Sequence, residues 1–249
     1  MLGILQKHMR FEVIAITDVG LKREINQDSV LVDHDLGLYV VADGMGGHRG
    51  GEVASALAVE TVQTYIREHL TESKREPRKV FADAYLEAST RIHHKSTHES
   101  PELMGMGTTM VGVLAVENKL YIANVGDSRA YLFRNPHLWQ LTEDHSLVNE
   151  QVRAGVIPEA EAGNMVGRNV ITRSVGYERE VSADLIERTA EGNELYLLCS
   201  DGLSGMISND RIAEICRKGS LKEIGQKLIS EAKRAGGEDN VSIILIRPT

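Results

Sequence analysis

The sequence predicts an α+β fold in which two packed sheets are flanked by pairs of helices. Three observations predict it. Short β-branched and apolar runs recur between Gly, Asp and Asn. Two long stretches without internal Gly or Pro, 52–70 and 78–99, carry apolar residues at helical spacing. The order of elements is strands, two long helices, many strands, two helices and one strand, which lacks the βαβα alternation of a doubly wound parallel sheet.

Taken in order, Phe11–Thr17, Ser29–Val32 and Leu38–Ala42 read as strands, the last ending at Asp43. A glycine-rich turn, Gly44–Gly51, leads into a helix over Glu52–Leu70 with Val53, Leu57, Val59 and Ile66 on its apolar side. Pro77 opens a second helix to Glu99, on which Val80, Ala84, Ala88 and Ile92 recur every fourth residue. Thr108–Val116 and Leu120–Val125 form a hairpin around Glu117-Asn118-Lys119, and Ala130–Arg134 pairs with Leu138–Leu141 around Asn135-Pro136. His145–Gly155 is expected to be helical, and Pro158–Gly176 to be an irregular excursion. Val181–Arg188 and Glu194–Cys199 are strands, Asp210–Arg217 and Leu221–Ala235 helices, and Val241–Ile246 the closing strand. No repeat, linker or low-complexity segment divides the chain, so residues 1–249 are expected to form one domain.

The totals exclude several classes. Formal net charge is 28 − 36 = −8, and aromatics are only 4%, which disfavours backbone tracking or base stacking on nucleic acid. Two cysteines, Cys199 and Cys216, build neither a disulfide framework nor a Cys-based zinc site, and Cys199 lies in an apolar run expected to be buried. The first ten residues hold no apolar stretch of signal-peptide length, and no run approaches the roughly 18 residues of a membrane span. A cytoplasmic location without membrane attachment is the expectation.

Chemistry gathers at the strand ends. Asp28, Asp43, Asp127, Asp201 and Asp239 each stand where a strand meets a turn, three of them beside a glycine: Asp43-Gly44, Gly126-Asp127 and Asp201-Gly202. An acid at a strand end is fixed by the sheet yet reaches solvent, and a neighbouring Gly leaves backbone open to a ligand. Hard divalent cations take oxygen ligands, and clustered carboxylates repel one another unless a cation neutralises them. Asp-Gly is also an ordinary turn pair, so each occurrence alone says little. The loop Asp43-Gly44-Met45-Gly46-Gly47-His48-Arg49-Gly50-Gly51 precedes a helix and either cradles an anion or gives backbone access to a metal; it lacks the P-loop ending. His94 and His98, four apart, lack the glutamate of a metalloprotease helix and read as a solvated face.

Eight ordered motifs, spread from Phe11 to Ile246, together resemble the metal-dependent protein phosphatases of type 2C in their short bacterial form. They are Thr17-Asp18-Val19-Gly20 through Arg23 to Asn26-Gln27-Asp28, Val41 to His48, Gly107-Thr108-Thr109, Asn124 to Arg129, Leu141 to Ser146, Ile171 to Gly176, Leu198 to Leu203 and Gly237 to Ser242. The resemblance implies a central β-sandwich of two mainly antiparallel sheets flanked by pairs of antiparallel helices, a four-layer αββα arrangement. It implies that Asp43 bridges two Mn²⁺ or Mg²⁺ ions, that Asp201 and Asp239 bind one and the Gly44 carbonyl the other, with Asp28 holding its waters. Asp127 resembles the residue that joins Asp201 at a third, weaker metal site. Residues from His145 to about Ser182 match a flap beside the active site. Arg23 resembles the family's phosphate-binding arginine, whose planar guanidinium holds two oxygens at once.

The implied reaction is direct hydrolysis of phosphoserine or phosphothreonine in proteins, by attack of a metal-bridging hydroxide. The implied partners are a Ser/Thr kinase and its targets, and a monomer is the expectation. Two departures stand out. Met45 occupies the place where many eukaryotic members carry a histidine, which leaves His48 or a metal-bound water for the general acid, and Gln27 replaces a glutamate. A catalytically silent phosphoprotein-binding module, a two-metal phosphodiesterase and a phosphatase of small metabolites are the competing readings. The completeness of Asp43, Asp201 and Asp239 disfavours the first, and charge and composition disfavour the second.

Overall fold

The computed structural model describes residues 10–70, 76–158, 161, 165, 167 and 169–249, without the side chains of 47–49. Alternation decides the layers. In β3 (Leu38–Met45), Leu38, Val40 and Ala42 face one core, whereas Tyr39 and Val41 face another. In β10 (Leu195–Cys199), Leu195, Leu197 and Cys199 face outward, and Tyr196 and Leu198 inward. All five residues of β10 are buried, so each face needs an apolar partner. The shared inner core includes Tyr39, Val111, Ile122, Leu132, Tyr196 and Ile244.

One sheet runs β1-β11-β10-β7-β8, from β1 (Phe11–Asp18), β7 (Arg129–Arg134), β8 (His137–Gln140) and β11 (Val241–Pro248) with β10. The other runs β2-β3-β5-β6-β9, from β2 (Asp28–Asp33), β5 (Met110–Val116), β6 (Lys119–Val125) and β9 (Asp184–Thr189), with β4 (Gly107–Thr108) also on β3. Every strand pair is antiparallel. Helices α1 (Gly47–Leu70) and α2 (Pro77–His94) cover the second sheet through Ala54, Ala58, Val62, Phe81, Ala84 and Ala88. Helices α4 (Asp201–Ser204), α5 (Asn209–Cys216) and α6 (Leu221–Arg234) cover the first through Leu203, Ile212, Ile224 and Leu228. α6 opens with a capping box of Ser220 and Glu223. The four-layer αββα expectation is met.

Several boundaries differ from the sequence reading. β3 does not stop before Asp43 but continues to Met45, because Gly44 and Met45 pair with Thr108 and Gly107. The glycine run is not all turn: α1 begins at Gly47, and its Gly50 and Gly51 sit tightly against Met106 and Gly44, packing that offsets their poor helix propensity. The Thr108–Val116 run splits at Thr109 into β4 and β5. The helix after His145 is α3 (Leu147–Arg153), with Ser146 as N-cap, and β9 starts at Asp184 rather than Val181. The short helix α4, directly after β10, has too few residues for a periodicity signal. Part of the expected excursion, at 159–160, 162–164, 166 and 168, lies outside the described residues.

Antiparallel register places the acids. Asp28 stands opposite Asp43 across β2 and β3. Met110 pairs with Val125, which puts Asp127 at the same end of that sheet. In the other sheet Cys199 pairs with Arg129 and Ile243, and Asp18 with Val241, so Asp201 and Asp239 emerge together.

Candidate active site

The two sheets are stitched where these ends meet. Ser200 Oγ, just past β10, donates to Asp28 Oδ2 at 2.8 Å and receives the Ser242 N–H at 3.0 Å. Gly202 lies so close to Asn240 that a Cβ would meet its carbonyl oxygen at 1.9 Å. This approach holds the Asp201 and Asp239 turns side by side, which explains the Asp-Gly pair by contact rather than by turn type. The Asn240 side chain receives the Gln27 N–H at 2.8 Å and donates to Val19 O and Ile25 O at 3.0 Å each, so it fixes the loop bearing Arg23.

Asp43 is held by its backbone. Its N–H donates to Thr109 Oγ1 at 3.2 Å, and its carbonyl accepts from Thr109 N–H and Thr108 Oγ1, each at 2.8 Å. Gly44 and Gly51 touch directly, and a Cβ on Gly44 would meet Gly51 O at 2.0 Å. The Gly-rich run is thereby a close crossing of strand and helix start.

A cavity of about 600 Å³ is lined by Arg23, Asp43, Gly44, Asp127, Asp201 and Asp239, so all but one of the predicted ligands meet around one space. Asp28 is buried behind Asp43 and does not line it. The side chain of His48 lies outside the described residues, while Met45 lines the cavity. A second cavity of about 580 Å³ shares Asp127, Asp201 and Asp239 and extends along α3. Arg23 is not free: its Nη2 is 2.8 Å from Asp239 Oδ2, both side chains being partly exposed, at 52% and 36%. Sequence reasoning gave Thr109, Ser200, Asn240 and His145 no role, although each stands inside a quoted motif. Only their contacts reveal what they hold.

The electrostatics are those of acids facing acids. Burial, then the charges of Asp28, Asp201, Asp127 and Asp239, push the Asp43 carboxyl well above the usual range. Asp127 is pushed up to about 7, first by burial and then by Asp201. Asp28 is pushed up to about 6 by burial, against the opposing hydrogen bonds from Ser242 and Ser200. Asp201 is raised by burial and Asp239. Two buried oxygens of this set, Asp28 Oδ1 and Asp201 Oδ1, have no hydrogen-bond partner. Orphaned acceptors and mutual repulsion are both relieved by cations, so the donor set fits divalent ions of the hard, oxygen-seeking kind. Among the described residues no three His, Cys, Asp or Glu side chains form a ready-made metal cage.

His94 and His98 stack 4.8 Å apart, with His94 against Glu99, on the outer helix layer. Cys199 and Cys216 are buried free thiols, both pushed up to about 12 by burial. Among the described residues no helix is long and apolar enough to cross a membrane.

Comparison with known proteins bears on the family and the fold. The family model of protein phosphatase 2C matches residues 20–241. The chain is 37% identical to the serine/threonine phosphatase stp of Listeria monocytogenes over 92% of its length and 93% of that protein. It is 37% identical to the protein phosphatase PhpP of Streptococcus pneumoniae, over 94% and 96%. Among solved structures, the Mycobacterium tuberculosis serine/threonine phosphatase PstP/Ppp superposes with a TM-score of 0.87 at 36% identity, covering 95% of this chain and 98% of that one. The PstP catalytic domain in complex with two manganese ions gives 0.86 at 34% identity, covering 97% and 99%.

Proposed function

This chain belongs to the protein phosphatase 2C family, and as a metal-dependent protein phosphatase of that family we propose that it hydrolyses phosphoserine and phosphothreonine through Asp43, Asp201 and Asp239, with Asp28, Gly44, Asp127 and Arg23 in support. The reading is carried by one observation: the single cavity that Arg23, Asp43, Gly44, Asp127, Asp201 and Asp239 share.

Asp43, Asp201 and Asp239 would hold two Mn²⁺ or Mg²⁺ ions, with the Gly44 carbonyl as a further oxygen donor and Asp127 at a third. When bound, such ions activate water and neutralise charge on the phosphate. Asp28, tied to Ser200, sets the position of Asp43 from behind. Arg23 spends its charge on Asp239 when no phosphate is present. A phosphomonoester entering the cleft offers the guanidinium a planar pair of oxygens, and Arg23 then orients the phosphate. The exposure of Arg23 leaves it room to change partner. His48, whose side chain lies outside the described residues, or a metal-bound water would protonate the leaving oxygen.

We further propose one catalytic domain spanning residues 1–249, with 145–182 as its flap. Residues Ile171 and Asn169 of that segment border the cavity, which supports the placement. The substrates are phosphoproteins made by a Ser/Thr kinase in the cytoplasm, and the enzyme acts as a monomer without nucleic acid or membrane.

The test is hydrolysis of phosphoserine, phosphothreonine and phosphotyrosine peptides with Mn²⁺, and again with a chelator. Release of phosphate from the first two, abolished by chelation and restored by Mn²⁺, is expected. Equal rates with the chelator would remove the metal reading.

A further inference from the structure

The Asp144-His145-Ser146 motif takes no part in the proposed chemistry, yet His145 is buried where three parts of the chain meet. Its own N–H donates to Gly126 O at 3.0 Å, and its carbonyl accepts the Thr172 N–H at 2.9 Å. Its imidazole Nδ1 accepts the Gly126 N–H at 3.0 Å. An accepting Nδ1 places the ring proton on Nε2. Nε2 is 3.2 Å from Asp184 Oδ2, so the bond runs from imidazole to carboxylate. The other oxygen of Asp184 accepts from Arg173 Nη1 at 2.7 Å.

Each partner matters for the site. Gly126 precedes Asp127, has a φ of +101°, and is pressed so closely on Thr109 that a Cβ would stand 2.6 Å from it. The turn that aims Asp127 is therefore held between Thr109 on one side and His145 on the other. Thr109 in turn binds the backbone of Asp43. Residue 145 begins the 145–182 segment; Thr172 and Arg173 lie on its return, and Asp184 stands just past its end. Ser146 and Ile171 are bridged as neighbouring backbones.

We propose that His145 is a positioning residue: Nδ1 fixes the Gly126-Asp127 turn, and Nε2 fixes the roots of the 145–182 segment through Asp184 and Arg173. One imidazole thus sets both the aim of a cation ligand and the seat of the segment beside the cleft. The first half of this proposal rests on the reading of Asp127 as a cation ligand.

Two substitutions separate the two nitrogens. His145→Asn offers an amide oxygen near the place of Nδ1 but does not reach Asp184. His145→Gln reaches toward Asp184 but leaves the Gly126 N–H without an acceptor. Calorimetric Mn²⁺ binding should weaken about tenfold in His145→Gln and stay within about twofold in His145→Asn, in keeping with the loss of a group that orients a ligand. Amide exchange in the cation-free protein should quicken at 125–128 in His145→Gln, and at 171–176 in His145→Asn. KM for a phosphopeptide should rise in His145→Asn, with KM for p-nitrophenyl phosphate unchanged. Equal losses of thermal stability in both variants, with wild-type Mn²⁺ affinity and one common exchange pattern, would reduce His145 to packing and overturn the proposal. If both variants fail to fold, Asp184→Asn carries the Nε2 arm: faster exchange confined to 171–176 supports the clamp, and an unchanged pattern refutes it. Absence of Mn²⁺ binding by the wild type would defeat the metal reading alone, since the cation-free exchange still decides the clamp.

Discussion

The strand β10 ends in two buried acidic sites of opposite character. Beyond its C-terminal end, Asp201 joins Asp28, Asp43, Asp127 and Asp239, and burial and like charge raise the carboxyls of Asp28, Asp43, Asp127 and Asp201. Before its N-terminal end, Glu194 has a side chain with 0% exposure, yet it receives Arg134 at 2.7 Å and Arg188 at 2.6 Å. Tyr196 Oη and the Glu191 N–H bind its other oxygen. Both sites tie one sheet to the other, the first through Ser200 and Asp28, the second through Arg188 of β9. The difference lies in countercharge, since both sites hold buried atoms without a partner: Arg134 Nε and Arg188 Nε at one, Asp28 Oδ1 and Asp201 Oδ1 at the other. Glu194 has its countercharges inside the protein and is a structural joint. The Asp cluster sets like charges against one another around orphaned acceptor oxygens, which bound cations would complete.

The comparison breaks most sharply at Asp201. Asp201→Asn removes a candidate ligand and should lower kcat/KM at least roughly a hundredfold, given that even outer partners of a metal are worth 10–100-fold. The cation-free protein should melt at the same temperature or higher, because one repelling charge is gone. A thermal melt alongside Mn²⁺-dependent phosphate release checks both, and near wild-type turnover would sink the assignment. Glu194→Gln should do the reverse. Arg188 loses its anion and Arg134 keeps only the exposed Glu191, and stability should fall by about 2 kcal/mol in denaturant unfolding. Turnover in saturating Mn²⁺ should stay within about twofold, since no cleft residue is touched.

The smallest effect is in pH, where the two ends have opposite signs. Asp28 and Asp127 have folded-state values raised to about 6 and about 7, so the native state keeps protons that the unfolded chain has released. Cation-free stability should therefore fall as pH rises from about 4 to about 7. Glu194 is held below the ordinary glutamate value; burial opposes this, and the Tyr196, Glu191 and Arg134 bonds outweigh it. Its contribution is present above the unfolded value and lost as pH drops through the lower folded one. Glu194→Gln should flatten only the acid limb of the melting curve, and saturating Mn²⁺ should flatten only the limb between about 4 and 7. A single slope for both would show that the two sites are not distinct.

Much of this was legible beforehand. Continuous apolar runs at Leu38–Ala42 and Leu195–Cys199 exposed buried strands, and helical spacing in Val80–Ile92 exposed α2. Five acids at strand ends marked the chemistry. Local pattern could not show that Gly44 and Gly202 are glycines because other backbones press against them, at Gly51 and Asn240. Nor could it show that β3 continues through Asp43, since that extension depends on pairing with Gly107 and Thr108, more than sixty residues away. Arg23 looked like a free phosphate ligand and is paired with Asp239, 216 positions along the chain.

The sequence by itself determined the elements, their layers and the identity of the acids, because periodicity and turn chemistry act between near neighbours. Only the tertiary structure decided which acids face one another, which is answered by arginines, and which oxygens are left without partners. Charge acts through space, so its consequences are set by register and sheet packing rather than by position along the chain.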